Sequence, residues 1–203
     1  TPPVERFGIG FVQGAKAAKS DIKIMYNYSG TFSDTNKGKT LAATMYDSGA
    51  DVIFVAAGNT GNGAISEAKE RGNLDMSKDG EIKHWVVGVD KDQYEEGIFK
   101  GKDKDGKEYQ KSVILTSAVK NIEVAVTKIL NEIKENKFEK GEHIFGIKEN
   151  GVGLPKENPN LSDDNKTKID KAIEELKSGK VEVVGTGDEL KAKGSVTNLE
   201  GEL

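Results

Sequence analysis

The stretch at 51–68, DVIFVAAGNTGNGAISEA, constrains the fold more than any other part of the chain. Val52, Ile53, Phe54, Val55, Ala56 and Ala57 form an apolar run without alternation. Such a run suits a strand covered on both faces, as in a parallel sheet. A turn follows through Gly58, Asn59, Thr60, Gly61, Asn62 and Gly63, and Ile65 and Ala68 then share one helical face. Strand, glycine-rich turn and helix in that order make half of a βαβ unit. The glycines permit sharp turning and close backbone approach. Amides at the start of the helix lack partners within it and suit an oxygen-rich ligand. The spot lies at the carboxyl end of a strand, where open α/β sheets bind ligands.

Helical and strand patterns alternate through the rest of the chain. Val4, Phe7, Phe11, Ala15 and Ala18 predict a helix over 3–19. Residues 22–29 read as a strand and 30–34 as a loop, with Asp34 or Thr35 capping a helix that ends near Gly49. Leu41, Ala42 and Met45 mark its inner face. The helix of the opening stretch is expected to stop near Gly72, leaving 73–83 as a polar loop. Residues 84–89, HWVVGV, predict a strand that delivers Asp90 at its carboxyl end. The charged stretch 91–111 reads as a solvated excursion, with a hairpin as one form of it. Residues 112–119 predict a strand, and Lys120 opens a helix marked by Ile122, Ala125, Val126, Ile129, Leu130 and Ile133. Short strands are expected at 143–147 and 181–184, separated by a helix through Ile169, Ala172, Ile173 and Leu176 that Gly179 stops. This alternation argues for an α/β fold with a largely parallel sheet.

Composition narrows the functional classes. Of 203 residues, 35% are hydrophobic and 32% charged, and no apolar run approaches the roughly 20 residues of a membrane-spanning helix. The net charge of −4 is spread along the chain, so no nucleic-acid surface stands out. Cysteine is absent, which removes disulfides, thiolate metal sites and thiol nucleophiles. His84 and His143 are far apart in sequence, which argues against a histidine-rich metal centre. The start, TPPVERFG, has the pattern of a helix N-terminus with Thr1 as cap and Pro2 near the first helical position. From that start a processed or truncated chain is expected.

Four residues stand out as ligand candidates, each with a plainer alternative. Gly58 opens a turn that lacks both the GxGxxG spacing of dinucleotide sites and the Gly-Lys-Ser/Thr of a Walker loop. It either receives hydroxyl or carboxylate oxygens or is simply a tight turn. Asp90 is placed to accept two hydroxyl hydrogen bonds from a sugar, or else to cap a helix or turn. Phe32, in a polar loop, either stacks on a planar ligand or folds back on the core. Lys120 at a helix start would face an unfavourable dipole, which favours a functional reason over a solvated surface lysine. No serine or threonine has a histidine placed to activate it. Asp103, Asp105 and Glu108 lack the spacing of a calcium loop, so the charge run is read as solvated.

Six pieces of the chain then stand in a telling order: GTFSD at 30–34, GADVIF at 49–54, the glycine turn at 58–63, GVDKDQ at 88–93, LTSAVK at 115–120 and GIKENGVGL at 146–154. This order resembles the basic membrane protein family of substrate-binding lipoproteins, of the purine nucleoside receptor type. The resemblance covers most of the chain, from Pro3 to about Val183. It implies a type I periplasmic-binding fold, in which two α/β lobes close on a ligand and the chain crosses between them three times. It also implies a lipid-anchored protein outside the plasma membrane that binds nucleosides without catalysis or cofactor and passes them to an ABC permease. By position, Phe32 matches the aromatic that packs on the base and Gly58 a backbone contact. Asp90 matches the carboxylate that holds the ribose hydroxyls, and Lys120 a polar contact near the cleft.

Departures from the family pattern shape the remaining expectations. The family's first lobe, its leader and its lipid-carrying cysteine have no counterpart in these residues. Asn59 stands where a further glycine is usual, and the loops at 73–83 and 91–111 look longer than typical. The expected division is a second lobe at 1–112, a piece at 113–140 that would complete the missing first lobe, a return to the second lobe at 141–185, and a polar tail at 186–203. The apolar stripe of the helix over 120–136 would need cover, and self-association through it is one solution. Two other classes stay open. One is a small α/β enzyme using the glycine turn for a phosphorylated cofactor, and the other is a ligand-sensing regulatory domain of the same fold.

Overall fold

The computed structural model describes residues 2–192 and 199–200. Its elements are α1 (Pro2–Ala18), β1 (Ile24–Met25), α2 (Thr35–Asp47), β2 (Val52–Phe54), α3 (Asn59–Asp79), β3 (Trp85–Asp90), β4 (Ile98–Lys102), β5 (Glu108–Ser112), β6 (Ile114–Lys120), α4 (Ile122–Lys134), β7 (Val152–Gly153), α5 (Asp163–Ser178), α6 (Gly187–Ala192) and β8 (Leu199–Glu200). A single 3-10 turn at Glu95–Gly97 precedes β4. The central sheet has the order β2-β3-β6-β7. Its first three strands are parallel and β7 runs antiparallel to β6, so the sheet is mixed. β1 pairs with β8, and β4 with β5 forms a hairpin within the charged excursion. Asp103 Oδ1 accepts from the amides of Asp105 and Lys107 and so closes that hairpin; it acts as a turn residue. No helix among the described residues is long and apolar enough to cross a membrane.

The main core lies between this sheet and the pair α2–α3. Tyr46, Ile53, Ile65, Ala68, Met76, Val86, Phe99, Val113 and Ile114 are all buried in it. Asp34 caps α2 by accepting from the Lys37 amide at 2.9 Å. The two helices touch almost backbone to backbone. A Cβ on Gly63 would fall 1.9 Å from the Thr35 carbonyl oxygen, and one on Gly38 1.9 Å from that of Thr60. A second cluster gathers Ile9, Val12, Ile24 and Val184 beneath α1.

Several elements differ from the sequence expectation, each for a local reason. α3 runs through Gly72 to Asp79 and ends where Gly80 adopts φ 78°. Gly72 is a packing residue: a Cβ there would sit 3.0 Å from both Phe99 and Val113. The polar segment after it stays helical because Met76 is buried and Asn73 receives the Tyr109 hydroxyl at 2.7 Å. Residues 181–184 form no strand, because Val184 exchanges both backbone bonds with the side chain of Gln13, each at 3.0 Å. Residues 143–147 also form no strand. Gly151 donates back to the Gly146 carbonyl and Asn150 to that of Ile147, so this segment closes on itself as a turn, with Ile144 exposed. The strand expected over 22–29 shortens to Ile24–Met25.

Lys120 closes β6 and does not open a helix; α4 begins two residues later. β6 lies in the same sheet as β2 and β3, so the 113–140 piece contributes a strand to the body formed by 1–112. Only its helix stands apart. α4 buries none of its residues and exposes Ile122, Val126, Leu130 and Ile133 by half or more. The expected Thr1 cap and residues 193–198 and 201–203 of the polar tail lie outside the described residues.

Candidate functional site

Because β2, β3 and β6 are parallel, their carboxyl ends share one edge of the sheet. Each delivers a residue singled out from the sequence. Asp90 ends β3 opposite Val119, so Lys120 is the next residue along β6. The Lys120 ammonium lies 2.8 Å from Asp90 Oδ1. Both side chains are about half exposed, at 46% and 56%. At that exposure an ion pair adds at most about 1 kcal/mol to stability, so the pair is weak as a structural brace. The ammonium also lies over the ring of Phe7 from α1, 5.2 Å from its centroid. Lys120 was expected to oppose a helix dipole. Its partners are instead a carboxylate and a ring face, because it ends a strand.

Asp90 has φ 70°, a conformation that side-chain-bearing residues adopt at a cost. The surrounding bonds hold it there. The Gln93 side-chain oxygen accepts from the Val89 amide at 2.9 Å, and the Gln93 amide donates to the Ser117 hydroxyl at 3.1 Å. Gln93 and Ser117 are buried. A Cβ on Gly88 would come within 2.8 Å of both the Ser117 hydroxyl and the Gln93 side-chain oxygen. Gly88, Asp90 and Gln93 of the GVDKDQ segment thus form one turn that presents a carboxylate. Sequence reasoning missed Gln93 and Ser117 as parts of it, although Gln93 closes the quoted motif.

The other pair is Phe32 with Gly58. Gly58 has φ 55° and ψ −137°, and a Cβ there would meet the Phe32 carbonyl at 3.1 Å. Thr60, 1% exposed, ties the two segments together. Its amide donates to the Phe32 carbonyl at 3.2 Å and its hydroxyl to the Thr31 carbonyl at 3.1 Å, while the Asp34 amide donates to that hydroxyl. The loop is therefore pinned to the start of α3, yet Phe32 is 54% exposed. Of its two sequence readings, the one with the ring folded into the core is excluded. The amides of Thr60 and Gly61 are spent within the protein, on Phe32 and Gly58, which weakens the expectation of an anion cradle at this turn.

Chemically, this edge offers an exposed aromatic face, a carboxylate able to accept hydroxyl bonds and an ammonium beside it. Two shallow concavities among the described residues lie elsewhere, one lined by Asn62, Ile65, Ser66, Lys69 and Glu96 and the other along α4. Neither includes the four candidate residues. Among the described residues no cluster of His, Asp and Glu is placed to hold a metal ion.

Comparison with known proteins decides the family. The model of the ABC transporter substrate-binding protein PnrA-like family matches residues 1–185. The chain belongs to that family. It is 41% identical to the ABC transporter nucleoside-binding protein BmpA of Lactococcus lactis, over 89% of this chain and 49% of that protein. It is 38% identical to a CD4+ T-cell-stimulating antigen of Listeria monocytogenes, over 89% of this chain and 48% of that protein. The chain thus spans about half the length of the curated relatives it matches. A solute-binding protein of an Aeropyrum pernix ABC transporter system shares the fold with a TM-score of 0.69 at 23% identity, covering 96% of this chain and 60% of the other. A transcriptional activator from Bacillus halodurans shares it at 0.65 and 20% identity, covering 84% and 52%. The architecture is that of an α/β periplasmic-binding-like protein with a mixed sheet and flanking helices. The family is one of ABC transporter substrate-binding proteins.

Proposed function

We propose that this chain supplies one wall of a nucleoside site in an ABC-importer binding protein outside the plasma membrane. The observation that carries the reading is the meeting of Asp90 and Lys120 at the ends of adjacent strands, on the same sheet edge as Gly58 and the exposed Phe32. Phe32 packs on the base, Gly58 allows the ligand close to the backbone, Asp90 accepts the ribose hydroxyls and Lys120 makes a polar contact beside them. The nucleoside-binding name of the Lactococcus relative supports the ligand class. A purine is the favoured base, because its larger ring covers more of the Phe32 face.

The fold is read as type I, with two lobes closing on the ligand and the chain crossing between them. In this reading 1–112 and β6 belong to the second lobe, and α4 and the following residues to 140 reach into the first. Residues 141–185 return to the second lobe. The half-length match to curated relatives supports an incomplete site within these residues. An ABC permease is the partner of the intact protein, and a lipid anchor holds it at the surface. Where the first lobe does not cover it, the apolar face of α4 associates with a second copy. Calorimetry with inosine, guanosine and adenosine tests the half-site: weak binding is expected from this chain, and submicromolar binding would contradict it.

A further inference from the structure

The Asp90–Lys120 pair raises a question of position. If Asp90 accepts hydroxyls from a ligand on both of its oxygens, the ligand competes with Lys120 at Oδ1. A lysine side chain has four rotatable bonds and is half exposed here, so losing the carboxylate would set it free. A second holder is present. Lys120 Nζ lies over the ring of Phe7, 5.2 Å from the centroid, and a ring face attracts a cation through its quadrupole. That ring is itself well supported. α1 is anchored by the fully buried Ile9 and Val12. Phe7 packs on Phe54 at 6.1 Å between centroids, and Phe54 stacks on Phe11 at 5.2 Å. Phe54 ends β2, so the aromatic trio joins α1 to the strand that leads into Gly58.

We propose that Phe7 is a positioning residue for Lys120, holding its ammonium at the strand edge independently of Asp90. This rests on the reading of the edge as a ligand wall. Lys120 then stays beside the ligand when Asp90 turns to the hydroxyls, and the site keeps a cation of fixed location. The helix α1 becomes part of the site through Phe7.

Nuclear magnetic resonance of the chain with carbon-13-labelled lysine tests this without any ligand. In the unmutated protein the Lys120 Cε protons should lie upfield of those of Lys91 and Lys168, which carry ion pairs and, among the described residues, no ring contact. They should also show Overhauser contacts to the Phe7 ring. Phe7→Leu should remove the upfield shift, Phe7→Tyr should retain it, and Lys128, over Phe145, should keep its own in both variants. Asp90→Asn should leave the Lys120 shift largely in place. An unmutated Lys120 without ring shift or ring contacts overturns the proposal, and so does loss of the shift in Asp90→Asn. Inosine is then added to the same unmutated sample. If Phe32 and Asp90 do not respond while the ring shift stands, the ligand-wall reading fails and the placement of Lys120 by Phe7 survives.

Discussion

The Asp90 carboxylate and the Lys120 ammonium lie 2.8 Å apart at the ends of neighbouring parallel strands, although 30 positions separate them in the chain. The strand pairing brings the two backbones side by side, since Asp90 stands opposite Val119 and Lys120 follows it. Their half exposure leaves both groups free for a ligand. A carboxylate held at φ 70° by a buried glutamine is a poor choice for stability alone.

Replacing Asp90 should therefore separate binding from folding. A hydrogen bond to a charged group contributes about 1.5–3 kcal/mol, so Asp90→Ala should weaken nucleoside binding at least tenfold in a protein that carries both lobes. Its stability should change by less than about 1 kcal/mol, because the ion pair is exposed. Asp90→Gly should lose binding equally and unfold at the same or a higher urea concentration, since glycine adopts positive φ without cost. Titration calorimetry and urea melts on the same samples check both halves.

The α2–α3 contact should be intolerant of a single methyl group. Gly63→Ala would drive a Cβ to 1.9 Å from the Thr35 carbonyl oxygen, and Gly38→Ala to the same distance from that of Thr60. Neither neighbour is a flexible side-chain end. Each substitution should cost at least about 1–3 kcal/mol by overpacking, despite the better helix propensity of alanine. Gly10→Ala on α1, where no atom beyond its chain neighbours and the local helix backbone lies within 4 Å, serves as the control and should be neutral or stabilising.

Gln13 should matter more than a half-buried polar residue ordinarily does. It takes the place of a neighbouring strand for Val184 by pairing with both its amide and its carbonyl. Gln13→Leu keeps the bulk and leaves two backbone groups without partners, at a cost of about 1–3 kcal/mol for each group that stays buried. Amide exchange at Val184 should accelerate in this variant while exchange in β3 is unchanged.

Exposed apolar residues on α4 should be replaceable. Leu130→Lys and Val126→Lys alter side chains that are 60% and 50% exposed, so each should shift stability by less than about 0.5 kcal/mol. If the face joins two copies, the same changes should lower the mass measured by light scattering. Unchanged mass at all concentrations would remove self-association.

Much of this could be read from the chain, and the failures share a cause. The apolar run at 52–57, the glycine turn and the helix after it are visible because strand, turn and helix each carry a local signature. Gly179 at the end of α5 and Asp34 at the start of α2 are local too. What the sequence hid depends on distant partners. Gly72 looks like a stop until Phe99 and Val113 are packed against it. The 181–184 segment looks like a strand until Gln13 takes its bonds, and Lys120 looks like a helix start until β3 lies beside it. Phe32 and Gly58 were each named from sequence, but Thr60, which ties them together, gave no signal. Phe7 read as one apolar position of an amphipathic helix, and only the fold puts a cation over its ring.

The central claim is that the edge formed by Phe32, Gly58, Asp90 and Lys120 is the ligand wall. Amide resonances followed during an inosine titration of this chain test it most directly. The account predicts weak binding with shifts concentrated at Phe32, Gly58, Asp90 and Lys120, with Asn62, Ser66 and Lys69 unmoved. Shifts confined to the groove along α3, or none at millimolar inosine while the protein is folded, would contradict it.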